Sequence, residues 1–194
     1  MGSASGVVGP TMVVHSYARI PADIADSTPP DWALGKSESG WMTGELFYEY
    51  ITNIFHPWLD NNNISRPVIL FIDGHTSHLT LHTSQFCADN NIILVSLLPN
   101  ATHLLQPMDV AVFRTLKSGW KEAVKNWRTE NMSNPVLKKR HFSPLLKKCI
   151  DDRVRGEVLQ NGFRKRGLHP WDASAVDYSK IEKAKITTNQ QRET

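Results

Sequence analysis

The chain has 194 residues, 40% of them hydrophobic and 21% charged. That is enough for one domain with a sizeable core and excludes a fibrous or disordered chain. No apolar stretch approaches the roughly 18 residues of a membrane helix, and the first residues lack the basic start and apolar centre of a signal peptide. Gly2 after Met1 weakly resembles a myristoylation start, but Gly6 stands where Ser or Thr is required. Cys87 and Cys149 have neither metal-ligand nor redox spacing, which points to free thiols in a reducing compartment. The net charge of +3 is unevenly spread: residues 1–97 carry −6 and residues 98–194 carry +9. This asymmetry suits an anionic partner on the C-terminal half, or simply a solubilising surface.

In chain order, residues 11–15 read as a strand with Pro10 at its edge. Residues 17–40, with Pro21, Pro29 and Pro30, read as a long loop without a long helix. Thr43 is the expected N-cap of a helix whose apolar face is Leu46, Phe47, Tyr50, Ile51, Ile54 and Trp58, with Pro57 kinking or ending it. Residues 60–63 form a polar turn. Two runs of successive apolar residues follow, from Val68 into Asp73 and Gly74 and from Ile92 to Leu98. Their lack of alternation predicts parallel strands covered on both faces. Residues 79–90 form the helical crossover between them, with Leu81, Phe86 and Cys87 inward.

Residues 110–128 are the longest periodic helix. Phe113, Leu116, Trp120, Ala123, Val124 and Trp127 line one face, and Arg114, Lys117, Lys121, Lys125 and Arg128 line another. The basic stripe reads either as a solvated face or as a surface for the phosphates of a nucleic acid. Two more helices are expected near residues 143–153 and 157–166, then a turn with Trp171 as an anchor, then a frayed polar tail from Lys180. Lys138, Lys139 and Arg140, and likewise Arg164, Lys165 and Arg166, could extend the basic surface or act as nuclear-localisation patches. Trp120, Trp127 and Trp171 read as core.

Asp73 ends a strand and Asp109 follows the next one after a short loop, and chemistry in such sheets collects beyond the carboxyl ends of strands. The two carboxylates are candidate metal ligands; the plainer readings are a strand-end turn with Gly74 and a helix N-cap. His75, His78 and His82 raise a zinc alternative, the last two being four residues apart, but no His-Glu-x-x-His pattern accompanies them. His75 and His78 read better as polar lining of a cleft.

Taken in order, GWMTGELF (residues 40–47), ILFIDGHTSH (69–78), LPNATHLLQPMDV (98–110) and GFRKRGLHPW (162–171) resemble the DDE-type transposases of the pogo/Tigger group and their jerky and centromere-protein-B-like relatives. The resemblance covers roughly residues 5–178 and rests on the ordered combination. It implies an α/β, RNase H-like fold, a mixed sheet flanked by helices. It also implies cutting and joining of DNA in the nucleus with Mg²⁺ or Mn²⁺. Asp73 matches the family's second acidic position and Asp109 its third, 36 residues later. The first acidic position has no match, so the first strand is expected to be missing and the chain truncated at its N-terminus. Asp23, Asp26 and Asp31 lie in the proline-rich segment and match nothing in the motif. The expected layout is a partial catalytic core over 1–130, a helical C-terminal extension over 131–178 and a disordered tail over 179–194. Three carboxylates normally share two ions, so Asp73 and Asp109 alone are expected to bind one ion weakly and to leave the chain without cleavage activity. DNA is the expected partner, with homo-oligomers also open and neither a membrane nor a small-molecule substrate expected. A domesticated DNA- or protein-binding module is the alternative.

Overall fold

The computed structural model describes residues 1–98 and 105–176. The expected tail over 179–194 and the motif residues 99–104 lie outside them. The described elements are β1 (Met12–His15), α1 (Ala22–Ser27), β2 (Ala33–Lys36), α2 (Gly44–Tyr50), α3 (His56–Asn61), β3 (Val68–Ile72), α4 (Leu81–Asp89), β4 (Ile92–Ser96), α5 (Phe113–Glu130), α6 (Phe142–Arg153) and α7 (Gly156–Arg164). π-helical turns at Ile51–Phe55 and Met108–Val112 join α2 to α3 and lead into α5.

The chain is an α/β structure, and its strands pair differently from the single mixed sheet expected. β1 pairs with β2 and β3 with β4, each in parallel, making two separate two-stranded sheets among the described residues. Each pair needs a crossover, because parallel strands cannot be closed by a hairpin. α4 supplies the expected one between β3 and β4. The one between β1 and β2 runs through the stretch read as loop, which contains α1 and all of β2. Here the prolines punctuate and do not forbid structure. Pro21 stands at the start of α1, where a missing N–H loses no helical bond, and its carbonyl accepts from Ile24 and Ala25.

Thr43 caps α2 as expected, its Oγ1 accepting from the Leu46 N–H at 3.2 Å. The helical path then runs unbroken past Pro57. The π turn widens the backbone just before it, so Pro57 sits in the first turn of α3, where its ring and missing N–H are tolerated. The main core forms along this composite helix: Phe47, Tyr50, Ile51, Phe55 and Leu59 pack against Ile72, Cys87 and Ile92. At about 1.5–3 kcal/mol per large buried side chain, this is the principal apolar contribution to the fold. Tyr50 satisfies its hydroxyl inside that core by donating to the Pro10 carbonyl at 2.7 Å, and burial pushes its pKa up. A second cluster, Val112, Val154 and Leu159, joins the turn before α5 to α6 and α7.

Four expectations need correction. β3 and β4 are only partly covered on their second face: Ile69 and Ile93, directly opposed in the register, stay 55% and 48% exposed, while Phe71 on the same face meets Phe163 of α7. Leu81 is exposed and not inward, because α4 starts later than expected: Leu81 is its first residue after the Thr80 cap, and the buried side carries Thr83 and Cys87. Phe113 is also exposed, standing where the π turn passes into α5 and the helical phase changes. Trp171 is 77% exposed: the tight bridge between Leu168 and Trp171 turns the ring outward instead of anchoring it.

Candidate functional site

Asp73 follows β3 directly, at the carboxyl end of the β3–β4 pair. Its Oδ1 accepts the His75 backbone N–H at 3.3 Å, an Asx-type turn, and lies 2.5 Å from His78 Nδ1. The strand-end-turn role and the pairing with His78 therefore coexist on one oxygen. His78 closes a 3₁₀ turn (Thr76–His78), and its ring rests on Phe47 with centroids 4.4 Å apart. It is thus held between the core and the carboxylate, a more specific position than cleft lining. His75 is exposed, and its Nδ1 faces the Ser77 hydroxyl at 2.8 Å and accepts the Ser77 N–H at 3.3 Å. The ring of His82 stands edge-on to Tyr48 on the side of α4. Among the described residues no three His, Cys, Asp or Glu side chains form a group able to hold a metal ion, so the zinc arrangement does not form there.

Asp109 is half-buried in the first turn of the helix that becomes α5. It is not the N-cap, a position taken by Pro107. A carboxylate in this turn gains from the positive end of the helix dipole. α7 links the two acid-bearing elements. Its Phe163 touches Phe71 of β3, and a Cβ on Gly162 would stand 3.0 Å from the Pro107 carbonyl and 3.2 Å from the Ala111 Cβ. A side chain at position 162 would push α7 a few tenths of an ångström away from the turn that carries Asp109.

As donors, two carboxylates suit a hard divalent cation that keeps several of its waters. Asp73 Oδ2 takes no part in the contacts with His75 and His78, and the side chain is 35% exposed. The residues fit such an ion in donor type, while their number falls one short of the three acidic positions that the resemblance implies.

The α5 stripe is fully on the surface. Arg114, Lys117, Lys121, Lys125 and Arg128 are all exposed, and among the described residues none forms an ion pair. The opposite face packs on α6: Trp120 meets Phe142 at 5.3 Å between ring centres, Trp127 meets His141 at 4.7 Å, and Gly119 admits the Arg153 stem. Arg153 pairs with Glu122, and Lys147 with Asp151 at 2.8 Å, so the cations of α6 are partly neutralised where those of α5 are not.

The profile of the DDE superfamily endonucleases matches residues 4–153, from before β1 to the end of α6. The chain belongs to that family. Both Asp73 and Asp109 fall inside the matched stretch, and so does the whole of α5. An α/β architecture with small parallel sheets is consistent with the assignment, and divalent metal is the family's usual cofactor. The chain is also 27% identical over 187 residues to the MFS-type transporter clz9 of Cochliobolus lunatus, a match covering 96% of this chain and 20% of that protein. It therefore spans about a fifth of the length of that curated relative. No described helix is long and apolar enough to cross a membrane. No solved structure matches the chain.

Sequence reasoning did not single out His15. It ends an otherwise apolar strand, is buried, and has an Nε2 without a hydrogen-bond partner among the described residues. The available signal was a lone imidazole in the last position of the run Met-Val-Val-His.

Proposed function

We propose that the chain is a transposase-derived DDE domain of the pogo/Tigger group, with an RNase H-like ancestry, that lays duplex DNA along α5 and binds Mg²⁺ or Mn²⁺ through Asp73 and Asp109. The observation that carries the proposal is the position of Asp73: it stands at the carboxyl end of a parallel strand pair, inside the family-matched stretch, with α7 packed on both its strand and the turn bearing Asp109. A divalent ion held by these two carboxylates would supply Lewis acidity for phosphodiester chemistry. The protein's own contribution is to hold the ligands and the strand. His78, braced on Phe47, fixes the Asp73 carboxyl group, while Arg114, Lys117, Lys121, Lys125 and Arg128 hold phosphates without reading bases.

With two acidic matches in these 194 residues, we propose weak binding of one ion and no cleavage by this stretch alone. Nuclear residence and self-association belong to the same proposal. Titration with Mn²⁺, read by water proton relaxation, tests the site: one weak ion is expected, lost in Asp73→Ala and in Asp109→Ala. Nicking of supercoiled plasmid by the purified chain with Mg²⁺, abolished by Asp73→Ala, would overturn the inactivity.

A non-catalytic DNA- or protein-binding module is the second reading, favoured by one specific contact. His78 and the turn already use Asp73 Oδ1 at 2.5 and 3.3 Å, giving this carboxylate a structural role that needs no metal. Duplex binding that is unchanged by Mn²⁺ or by Asp109→Ala would favour this module.

A further inference from the structure

A cavity of about 560 Å³ opens beyond the carboxyl ends of β1 and β2, on the other sheet from Asp73. Open α/β sheets place ligand sites at this kind of position. Its lining includes Trp41, Lys138, Lys139, Ser16, Ser39 and His15. Trp41 is 78% exposed, so its ring contributes little to the core, yet the loop that presents it is tightly held. Ser37 N–H donates to the His15 carbonyl at 3.1 Å, Ser37 Oγ to the Trp41 carbonyl at 2.8 Å, and Trp41 N–H to Ser39 Oγ at 3.3 Å. Gly40 has φ +77°, and a Cβ there would stand 3.2 Å from the Ser16 nitrogen, so only glycine brings the loop down onto the end of β1.

The cationic side is also set in place. Lys139 Nζ lies 4.3 Å from the centre of the Tyr17 ring, and the Lys138 backbone N–H donates to His141 Nδ1 at 3.1 Å, fixing the turn that displays both lysines. His15 also lines the cavity, with its partnerless Nε2 turned away from solvent. The lining thus combines an exposed aromatic ring on a held loop with two lysines and two serine hydroxyls. Flat rings joined to phosphates have this chemistry. Base–aromatic stacking with backbone cations is also the usual mode of single-strand binding.

We infer that this cavity takes one unpaired nucleotide of a DNA strand, its base stacked on Trp41 and its phosphate held by Lys138 and Lys139. The family's DNA chemistry favours a nucleotide over other phosphorylated aromatics. The site uses none of the residues assigned to the α5 surface or to the carboxylate pair, so it stands apart from both.

The test compares binding of a fluorescent hexathymidylate, free thymidine monophosphate and a blunt duplex to the full chain and to Trp41→Ala, Trp41→Phe and Lys138→Gln. Trp41→Ala should weaken hexathymidylate by about five- to 150-fold, the range that alanine substitution at a stacking residue produces. Trp41→Phe should restore most of that loss, and duplex affinity should not change. Lys138→Gln should flatten the salt dependence of single-strand binding by about 0.7 in log–log slope, as for one phosphate contact. Thymidine monophosphate competing as well as hexathymidylate, per site, would point to a free nucleotide and overturn assignment to a strand. Equal hexathymidylate binding by native protein and Trp41→Ala, or preference for a phosphotyrosine peptide over hexathymidylate, would overturn the inference. Weakened duplex binding with a shallower salt slope in Lys117→Gln/Lys121→Gln, with hexathymidylate binding intact, supports it and separates the two surfaces. If native chain binds hexathymidylate in a Trp41-dependent way but no duplex, the α5 reading fails and this one stands.

Discussion

Replacing Lys117 and Lys121 by glutamine removes two of five exposed cations from α5 without touching the face that packs on α6. From Arg114 to Arg128 the stripe rises about 21 Å at 1.5 Å per residue. Along a duplex carrying one charge per about 1.7 Å, that length faces roughly a dozen phosphates, enough for all five side chains to find one. Five contacts give a slope of log affinity against log salt of about −4.5, and three give about −2.7. Between 50 and 200 mM salt, native affinity should therefore fall by about 500-fold and that of the double variant by about 40-fold. Fluorescence anisotropy with a random-sequence duplex across that salt range reads both slopes. The thermal unfolding midpoint should stay unchanged, since neither side chain forms an ion pair among the described residues. A double variant with the native slope would refute α5 as the phosphate-binding surface and leave the stripe as a solvated helix face.

Three further predictions concern the scaffold. Thr43→Ala removes the oxygen that accepts the Leu46 N–H and should cost about 1 kcal/mol in urea unfolding, with Thr43→Ser retaining most of the native stability. Leu159→Ala empties a position that is 1% exposed between Val112 and Val154 and should cost about 2–5 kcal/mol, with a lower urea midpoint and an unchanged slope. Burial, with Lys139 nearby, holds His15 below its ordinary value of about 6.5. The unfolded chain then takes up the proton first as pH falls, so this contribution to stability is full above pH 6.5 and is lost below it. His15→Gln should flatten that part of the stability profile in urea melts between pH 7.5 and 5, and a variant as acid-sensitive as the native chain would contradict it.

The sequence was most legible where local chemistry and tertiary packing agree. The β3–α4–β4 crossover, the Thr43 cap and the amphipathic α5 each follow from spacing alone, and each is present. Segment 17–40 was not legible, because prolines at the edges of short elements look the same as prolines in a loop. The π turn before Pro57 was hidden for a related reason: periodicity shows where a proline falls but not that one extra residue in the preceding turn will accommodate it. Phe113, Leu81 and Trp171 show the limit of reading burial from residue type, since each stands where an element begins or a tight turn sets the direction of the side chain. At the candidate site, Asp73 and Asp109 were visible through their motifs. The 2.5 Å contact between Asp73 and His78 was not, since it depends on the intervening 3₁₀ turn and the Phe47 ring behind it.

The central claim is that Asp73 and Asp109 share one divalent ion. Substituting Fe²⁺ in the presence of ascorbate and peroxide generates hydroxyl radicals at the bound ion and cuts the backbone nearby, so mass spectrometry of the fragments reports which segments surround it. Cuts are expected close to both residue 73 and residue 109, suppressed together by excess Mg²⁺ and by either Asp73→Ala or Asp109→Ala. Cuts at one position alone, or a pattern that survives both substitutions, would contradict a shared site.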